Sequence, residues 1–323
     1  MKKRAAILTS GGDAPGMNAA IRAFMREGIS CGYEIFSVEL GYEGLVSGKI
    51  KLLSSRDVGL IINQGGTFIK TARSKRFMTE KGILRAAENL KKRDIGALCV
   101  IGGEGSFKGM LELSKYYNGQ LVGIPGTIDN DIEGTDYSIG FNTAVETAVN
   151  AVDKIRDTAM SHGRIFFIEV MGRKSGNLAK AVAIACGAED ALIPEVKTNV
   201  DELCSRIINN HKKGKRFSII VVAEGDDAGG AFKLAETVRE KTGLPHRVTI
   251  LGHIQRGGAP SAYDRIMATK MGVKAFEFIK NGMNLVFTAS QKGELLPEHL
   301  NNVHKSEISD IKKEIEQIRI LAG

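Results

Sequence analysis

Leu121-Val122-Gly123-Ile124-Pro125-Gly126-Thr127-Ile128-Asp129-Asn130-Asp131 is the stretch on which the fold turns. Apolar Leu121, Val122 and Ile124 run into a Pro-Gly break, the pattern of a buried strand that ends in a loop. Past that break stand a hydroxyl, Thr127, and two carboxylates two residues apart, Asp129 and Asp131. In an open α/β sheet the crevice beyond the strand ends is where ligands bind. There Asp129 could take a proton from an attacking alcohol, and Asp131 could orient it or share a metal. Taken alone, the motif also reads as a polar turn, or as an Asx-turn network with no ligand. A calcium loop is excluded: Asp129, Asp131, Glu133 and Gly134 imitate the start of an EF-hand, but its twelfth position needs a bidentate Glu and is Gly140 here.

The same pattern recurs along the chain. Ala5–Leu8 leads into Thr9-Ser10-Gly11-Gly12-Asp13-Ala14-Pro15-Gly16, and Met17, Ala20, Ile21 and Phe24 then keep helical spacing. A glycine turn between strand and helix offers bare backbone N–H groups and a positive helix end to a phosphate. It matches neither the dinucleotide fingerprint nor the P-loop. Leu98–Ile101 runs into Gly102-Gly103-Glu104-Gly105-Ser106, Ile165–Val170 into Met171-Gly172-Arg173, Ile219–Ala223 into Glu224-Gly225, and Val248–Leu251 into Gly252–Gly258. Helical stretches such as Ile83–Arg93, Thr143–Thr158 and Tyr263–Lys280 lie between them. Alternating strands and helices predict an α/β protein of two Rossmann-like lobes with mainly parallel sheets and an active-site cleft between them. In the tail, Ile308, Ile311, Ile315, Ile318 and Leu321 predict an amphipathic closing helix capped by Ser306.

Composition narrows the function class. The 323 residues are 43% hydrophobic and 25% charged, as in a globular protein able to bury a large core. Net charge is +8, but aromatics are 6% and the basic residues are dispersed without a nucleic-acid motif. Small phosphorylated ligands are therefore preferred, with no nucleic-acid or membrane partner. Cys31, Cys99, Cys186 and Cys204 form no Cys-x-x-Cys pair and read as reduced thiols. The apolar run after Met1-Lys2-Lys3-Arg4 is too short for a secretory signal, so a cytoplasmic protein is expected.

Four of these stretches, Thr9–Asn18, Pro125–Asp131, Glu169–Arg173 and Gly252–Gly258, together resemble the bacterial 6-phosphofructokinase family, and the likeness runs to about Gly282. The resemblance implies an ATP-binding lobe (1–140 with 252–305) and a fructose 6-phosphate lobe (141–251 with 306–323). It also implies a homotetramer, and Mg²⁺-assisted transfer of the ATP γ-phosphoryl to the 1-hydroxyl of fructose 6-phosphate. Carried onto this chain, Asp129 is the general base, Asp131 its partner carboxylate, Thr127 a neighbour of the transferred group, and Arg173 the stabiliser of developing charge. Gly12, Arg73, Ser74 and the Gly103–Ser106 loop (Gly103, Glu104, Gly105, Ser106) match nucleotide contacts, with Glu104 on the metal. Met171, Gly172, Glu224, His253 and Arg256 match sugar-phosphate contacts. Arg164 and Arg247 match arginines that reach a neighbouring subunit's active site. One base amid cations suits phosphoryl transfer, which needs positioning and charge neutralisation more than covalent chemistry.

The resemblance further implies an effector site for an ADP-like activator or phosphoenolpyruvate. Its positions are Arg22, Arg26, Arg56 and Arg156, with Glu189, Lys213, Lys215, Arg216 and Phe217. Lys213 stands where Arg is usual, Arg216 where Lys is and Phe217 where His is; Lys keeps charge but loses the planar fork. Glu104 replaces the family's usual Asp, one methylene shorter, and Mg²⁺ tolerates little distortion. That substitution is the support for an alternative reading, a regulatory paralogue that binds without turnover. Pyrophosphate-using relatives carry Asp at Gly105 and Lys at Gly126; glycine at both keeps room for ATP. Asn284–Leu296 also departs from the family's pattern and is expected to be structural only.

Overall fold

The computed structural model describes residues 3–302 and 308–322. Along the chain the order is β1 (Arg4–Thr9), α1 (Met17–Ser30), β2 (Glu34–Val38), α2 (Gly41–Ser47), β3 (Ile50–Leu52), α3 (Glu80–Lys91), β4 (Ala97–Gly102), α4 (Glu104–Ser114) and β5 (Gln120–Pro125). Then come α5 (Phe141–His162), β6 (Ile165–Val170), α6 (Asn177–Cys186), β7 (Asp190–Leu192), α7 (Val200–Lys212), β8 (Ser218–Ala223), α8 (Gly230–Thr242) and β9 (His246–Ile250). A 3-10 turn (Gly252–Arg256), α9 (Ala262–Lys280), β10 (Val286–Gln291), β11 (Glu294–His299) and α10 (Ile308–Leu321) complete it.

The chain divides into two units, Met1–Asn142 with Arg256–Lys305 and Thr143–Gln255 with Ser306–Gly323. The breaks expected after 140 and 251 thus stand after Asn142 and Gln255. Each has a local cause. Asn142 accepts a hydrogen bond from Ser261 Oγ at 2.7 Å, within the first unit, while fully buried Gln255 accepts one from the Met171 amide at 3.4 Å, within the second.

In the first unit a seven-stranded sheet has the order β11-β10-β5-β4-β1-β2-β3. Its inner pairs are parallel, and β2–β3 and β10–β11 at the two edges are antiparallel. β4 is buried throughout, as an unbroken apolar run should be when helices cover both faces. On one face α1 and α9 cross closely because Gly272 has no side chain: a Cβ there would stand 2.5 Å from the Ala20 carbonyl oxygen. Phe24 and Phe276 then meet edge to face at 5.4 Å. On the other face Tyr42 stacks on Phe77 at 4.0 Å beneath α3 and α4.

The chain runs from β1 outward to β2, then returns to β4 on the other side of β1. The carboxyl ends of β1 and β4 are therefore a topological switch point, where an open sheet leaves a crevice. In the second unit four parallel strands follow the order β7-β8-β6-β9, with a core that includes Phe167, Ile220, Val222 and Leu234.

The expected tail helix is α10, with Ile311, Ile315 and Ile318 buried in the second unit. The Ser306 cap lies outside the described residues. Leu321, placed on the apolar stripe by spacing, is 72% exposed. The buried row steps 311, 315, 318 and next reaches 322, so residue 321 falls off that face. Asn284–Leu296 holds most of the β10–β11 hairpin, and β2, β3 and β7 are three further strands beyond the six apolar runs. All four cysteines are free thiols, Cys99 and Cys204 buried and Cys31 and Cys186 partly so.

Candidate active site

At the switch point of the first unit three loops meet. Ser10, just past β1, donates its amide to Ile101 O at 2.9 Å, and Ser106 Oγ returns a bond to Ser10 O at 3.1 Å. Bare glycine is needed at this approach, since a Cβ on Gly102 would lie 2.6 Å from Ser10 O. α4 begins at Glu104, so Gly103 to Ser106 present a helix N-terminus to whatever sits above β1 and β4. Gly12 faces the guanidinium of Arg256, where a Cβ would stand 2.1 Å from Nη2. Asp13 lies 4.0 Å from the same group. Arg256, grouped by resemblance with sugar-phosphate contacts, is thus packed on the glycine turn after β1, and His253 belongs to the second unit. Arg73 is exposed. Ser74 is committed elsewhere: its hydroxyl donates to Glu43 at 2.6 Å and accepts the Phe77 amide at 3.0 Å. That Ser74 bond holds the Glu43 carboxyl below its ordinary range.

Thr127, Asp129 and Asp131 follow β5. Gly126 donates to Gly102 O at 3.0 Å, and a Cβ on Gly103 would touch the Thr127 Cβ at 3.7 Å, so the two loops are neighbours. Asp129 is 4% exposed, and its amide donates to Thr127 Oγ1 at 3.2 Å. Asn130 takes a left-handed φ of 46°, which Asn tolerates better than most residues. Across that reversal Asp131 is exposed. The two carboxylates therefore differ in environment, one buried and one facing solvent. Ser138 Oγ reaches Thr127 O at 2.6 Å and Asn130 Oδ1 at 2.9 Å, which closes the turn. An Asx-centred network is present, and it holds up the carboxylates.

In the second unit Met171, Gly172 and Arg173 follow β6, and Glu224 follows β8 alongside it. Glu224 Oε1 accepts the Arg173 amide at 2.9 Å. Gly172 (φ 141°) and Arg173 (φ 52°) are both at positive φ, so the turn places an arginine in a conformation that costs of order 1 kcal/mol. Ser175 N closes the turn on Gly172 O at 2.8 Å. Arg164 and Arg247 sit at the opposite, amino-terminal ends of β6 and β9. Residues 164 and 171 are about 23 Å apart at 3.3 Å per residue. Within one unit the two sets are separate.

The residues matched to an effector site fall in both units. Arg22, Arg26 and Arg56 are in the first; Arg156, Glu189, Lys213, Lys215, Arg216 and Phe217 are in the second. In the second, Lys215 Nζ pairs with Glu189 at 3.0 Å and donates to Ala322 O at 2.7 Å, while Arg156 donates to the Cys186 carbonyl. A cleft of about 240 Å³ next to them includes Glu189, Arg206, Lys213 and Arg319 in its lining.

The phosphofructokinase family profile matches residues 4–279. The chain belongs to the phosphofructokinase family. It is 46% identical over 301 residues to the ATP-dependent 6-phosphofructokinase of Natranaerobius thermophilus, covering 93% of each chain. It is 48% identical over 293 residues to the ATP-dependent 6-phosphofructokinase 1 of Thermus thermophilus, covering 91% of each. Its fold matches the crystal structure of Pichia pastoris phosphofructokinase in the T-state with a TM-score of 0.88 and 37% identity over 99% of this chain, which spans 37% of that longer polypeptide.

Family membership raises the question of a divalent metal. Mg²⁺ takes oxygen ligands and commonly uses one or two carboxylates plus substrate phosphates. The Glu104 carboxylate opens α4, is half exposed, and pairs with Lys108 one turn on at 2.5 Å. An exposed pair of this kind is worth less than about 1 kcal/mol, so Glu104 is readily released to a dication. The donor chemistry fits. Among the described residues no helix is long and apolar enough to cross a membrane. Sequence reasoning passed over Tyr137, Ser138 and Asp264, which hold the carboxylate turn. For Asp264 the legible pattern was Ser261-Ala262-Tyr263-Asp264, a helix cap in which Ser261 Oγ accepts the Asp264 amide at 3.1 Å, and that pattern says nothing of the Gly140 and Tyr137 contacts.

Proposed function

We propose that the chain is an ATP-dependent 6-phosphofructokinase. The observation that carries this is the contact of the Gly103 phosphate loop with the Thr127–Asp129 turn: a nucleotide cradle beside a buried carboxylate. The 1-hydroxyl of fructose 6-phosphate attacks the γ-phosphorus, its proton passes to Asp129, and the bond to ADP breaks. Thr127 and Arg173 meet the charge spread over the transferred group, where stabilisation has most effect. Asp131 orients the base. Glu104, together with the donor phosphates, would hold Mg²⁺, which would supply charge neutralisation on the donor. Gly12, Arg73 and Gly103–Ser106 take the nucleotide; Met171, Gly172, Glu224, His253 and Arg256 serve the sugar phosphate, Arg256 from the rim of the nucleotide turn.

Two glycines favour ATP over pyrophosphate as donor. A Cβ on Gly105 meets nothing within 4 Å, so space is open over that loop. On Gly126 a Cβ would stand 2.9 Å from Ile101 and 3.1 Å from Met17, so a lysine there has no room without rearrangement. The remoteness of Arg164 and Arg247 from Met171–Arg173 supports their service to a neighbouring subunit's site in a homotetramer. The cations around Glu189 support an effector pocket for an ADP-like or phosphoenolpyruvate-like anion. A cytoplasmic place in glycolysis follows from the same reading.

The test is formation of fructose 1,6-bisphosphate by purified protein with Mg²⁺ and either ATP or pyrophosphate, beside Glu104→Asp. Turnover with ATP alone is expected. Binding of both ligands without turnover, with activity restored in Glu104→Asp, would make the chain a regulatory paralogue instead.

A further inference from the structure

The turn that carries Asp129 is the near limb of a loop running to Gly140, and the far limb is held by groups outside the family-derived site. Asp264, in the first turn of α9, is 0% exposed. Its Oδ1 accepts the Gly140 amide at 2.7 Å and the hydroxyl of Tyr137 in a short hydrogen bond. Burial and the Asp264 carboxylate push the Tyr137 phenol far above its ordinary value, so it remains a donor at any working pH. Between those two anchors Ile139 N bonds back to Pro125 O at 3.0 Å, and Ser138 grips Thr127 and Asn130. The other anchor is the tip of the β10–β11 hairpin, the segment that departs from the family pattern. Ser290 O accepts the Asp136 amide at 2.7 Å, and Lys292 N donates to Asp136 Oδ2 at 2.8 Å. Gln291 Nε2 donates to Gly134 O at 2.8 Å, and Ser290 N to Thr135 Oγ1 at 2.9 Å. Asn130 Nδ2 then ties Asp136 O to the turn at 3.2 Å.

A fully buried carboxylate is a costly way to hold a loop if only stability is needed, since apolar packing of equal volume commonly does as well. What directed bonds add is position, and a 1 Å error in a reacting group costs on the order of 10²-fold in rate. We propose that Asp264, acting through Tyr137 and Gly140, and the hairpin tip, acting through Asp136, are positioning elements that set the placement of Asp129 against the attacking hydroxyl. This rests on the reading of Asp129 as the base. Neither element is among the residues assigned above to substrate. The hairpin is accordingly part of the catalytic support and more than a structural edge.

The test compares Tyr137→Phe, Asp264→Asn, their double variant, and Asp136→Ala, with Asp129→Asn as the control on the base. Each is assayed for kcat and for KM of both substrates, and for ATP and fructose 6-phosphate binding by calorimetry. Positioning predicts a fall in kcat of roughly 10- to 100-fold for Tyr137→Phe and Asp264→Asn, with both KM values within about threefold of the parent. The double variant should be no worse than the poorer single, because both act through one contact. Asp136→Ala should lose kcat in the same manner, by roughly three- to tenfold. Near-parental kcat in folded Tyr137→Phe, or losses that multiply in the double variant, would overturn the proposal. Tyr137→Phe removes one oxygen from a ring of unchanged shape, so it decides the matter even if Asp264→Asn fails to fold. If Asp129→Asn alone kept parental kcat, the base assignment would fall and the positioning proposal with it; if Asp129→Asn were dead while the other variants turned over normally, only positioning would fall.

Discussion

Arg319 Nε, in the last turn of α10, lies 3.0 Å from Oδ1 of Asp190, a carboxylate 1% exposed at the start of β7. Arg206 of α7 pairs with the other oxygen, so one buried acid ties two helices to the sheet. Arg319→Ala leaves Oδ1 with only the Ala191 amide, at 3.0 Å, and removes one of the two cations from a buried acid. A loss of about 1–3 kcal/mol is expected, read as a lowered urea midpoint. An unchanged midpoint would mean that Arg206 and the Ala191 amide together satisfy Asp190.

Gly12 lies under the Arg256 guanidinium, which a side chain there would push aside. A Cβ would intrude on the glycine turn assigned to the nucleotide as well as displace the Arg256 guanidinium, so Gly12→Ala should raise KM for ATP by about tenfold, the equivalent of ~1.4 kcal/mol. Steady-state kinetics with ATP varied at saturating sugar phosphate would show it. Equal KM values in the two proteins would place the nucleotide phosphates elsewhere.

Gly225 guards the arginine turn. A Cβ there would stand 1.6 Å from the Arg173 carbonyl oxygen, a backbone atom that cannot step aside without moving the turn. Gly225→Ala should therefore lower kcat by roughly 10²-fold through misplacement of Arg173. Retained kcat would remove Arg173 from the chemistry.

Metal dependence tests Glu104. Chelation by EDTA should stop turnover, and Glu104→Ala should raise the Mg²⁺ concentration for half-maximal rate by at least about tenfold. Fructose 6-phosphate affinity, measured without nucleotide, should stay the same. A Mg²⁺ response unaltered in Glu104→Ala would exclude this carboxylate as the ligand.

His246 gives a pH signature. Burial, then Arg239 and Arg247, hold its pKa below the ordinary 6.5. The unfolded chain binds the proton more readily, so stability is lost as pH falls through 6.5 toward the folded value and is complete above it. His246→Asn should flatten that part of the curve of unfolding free energy against pH. A slope unchanged by the substitution would assign it to another group.

The alternation of apolar runs with glycine turns was enough to place β1, β4, β5, β6 and β8, because central parallel strands are buried on both faces and announce themselves as unbroken apolar segments; β9, an edge strand with no fully buried residue, was placed by the Val248–Leu251 run and the glycine after it. The edge strands β3 and β11 of the larger sheet escaped for the converse reason. Lys51 and Leu52 of β3, like most of β11, are solvent-facing and carry no such run. The tail helix was legible from its isoleucines, but Leu321 was not, since spacing alone does not say where a helix leaves its partner.

The candidate site residues were determined by the sequence itself: Asp129, Asp131, Arg173 and the glycine turns stand at strand ends, and strand ends are visible as local pattern. What only the tertiary structure decided is which distant residues support them. Asp264 stands 124 positions from Gly140 and 127 from Tyr137, and Ser290 and Lys292 are more remote still from Asp136. Arg256 against Gly12, and Arg319 against Asp190, are joined in the same way, by the order in which strands are laid into a sheet. Local pattern depends on a residue's neighbours in sequence, whereas these pairs depend on which strand lies beside which.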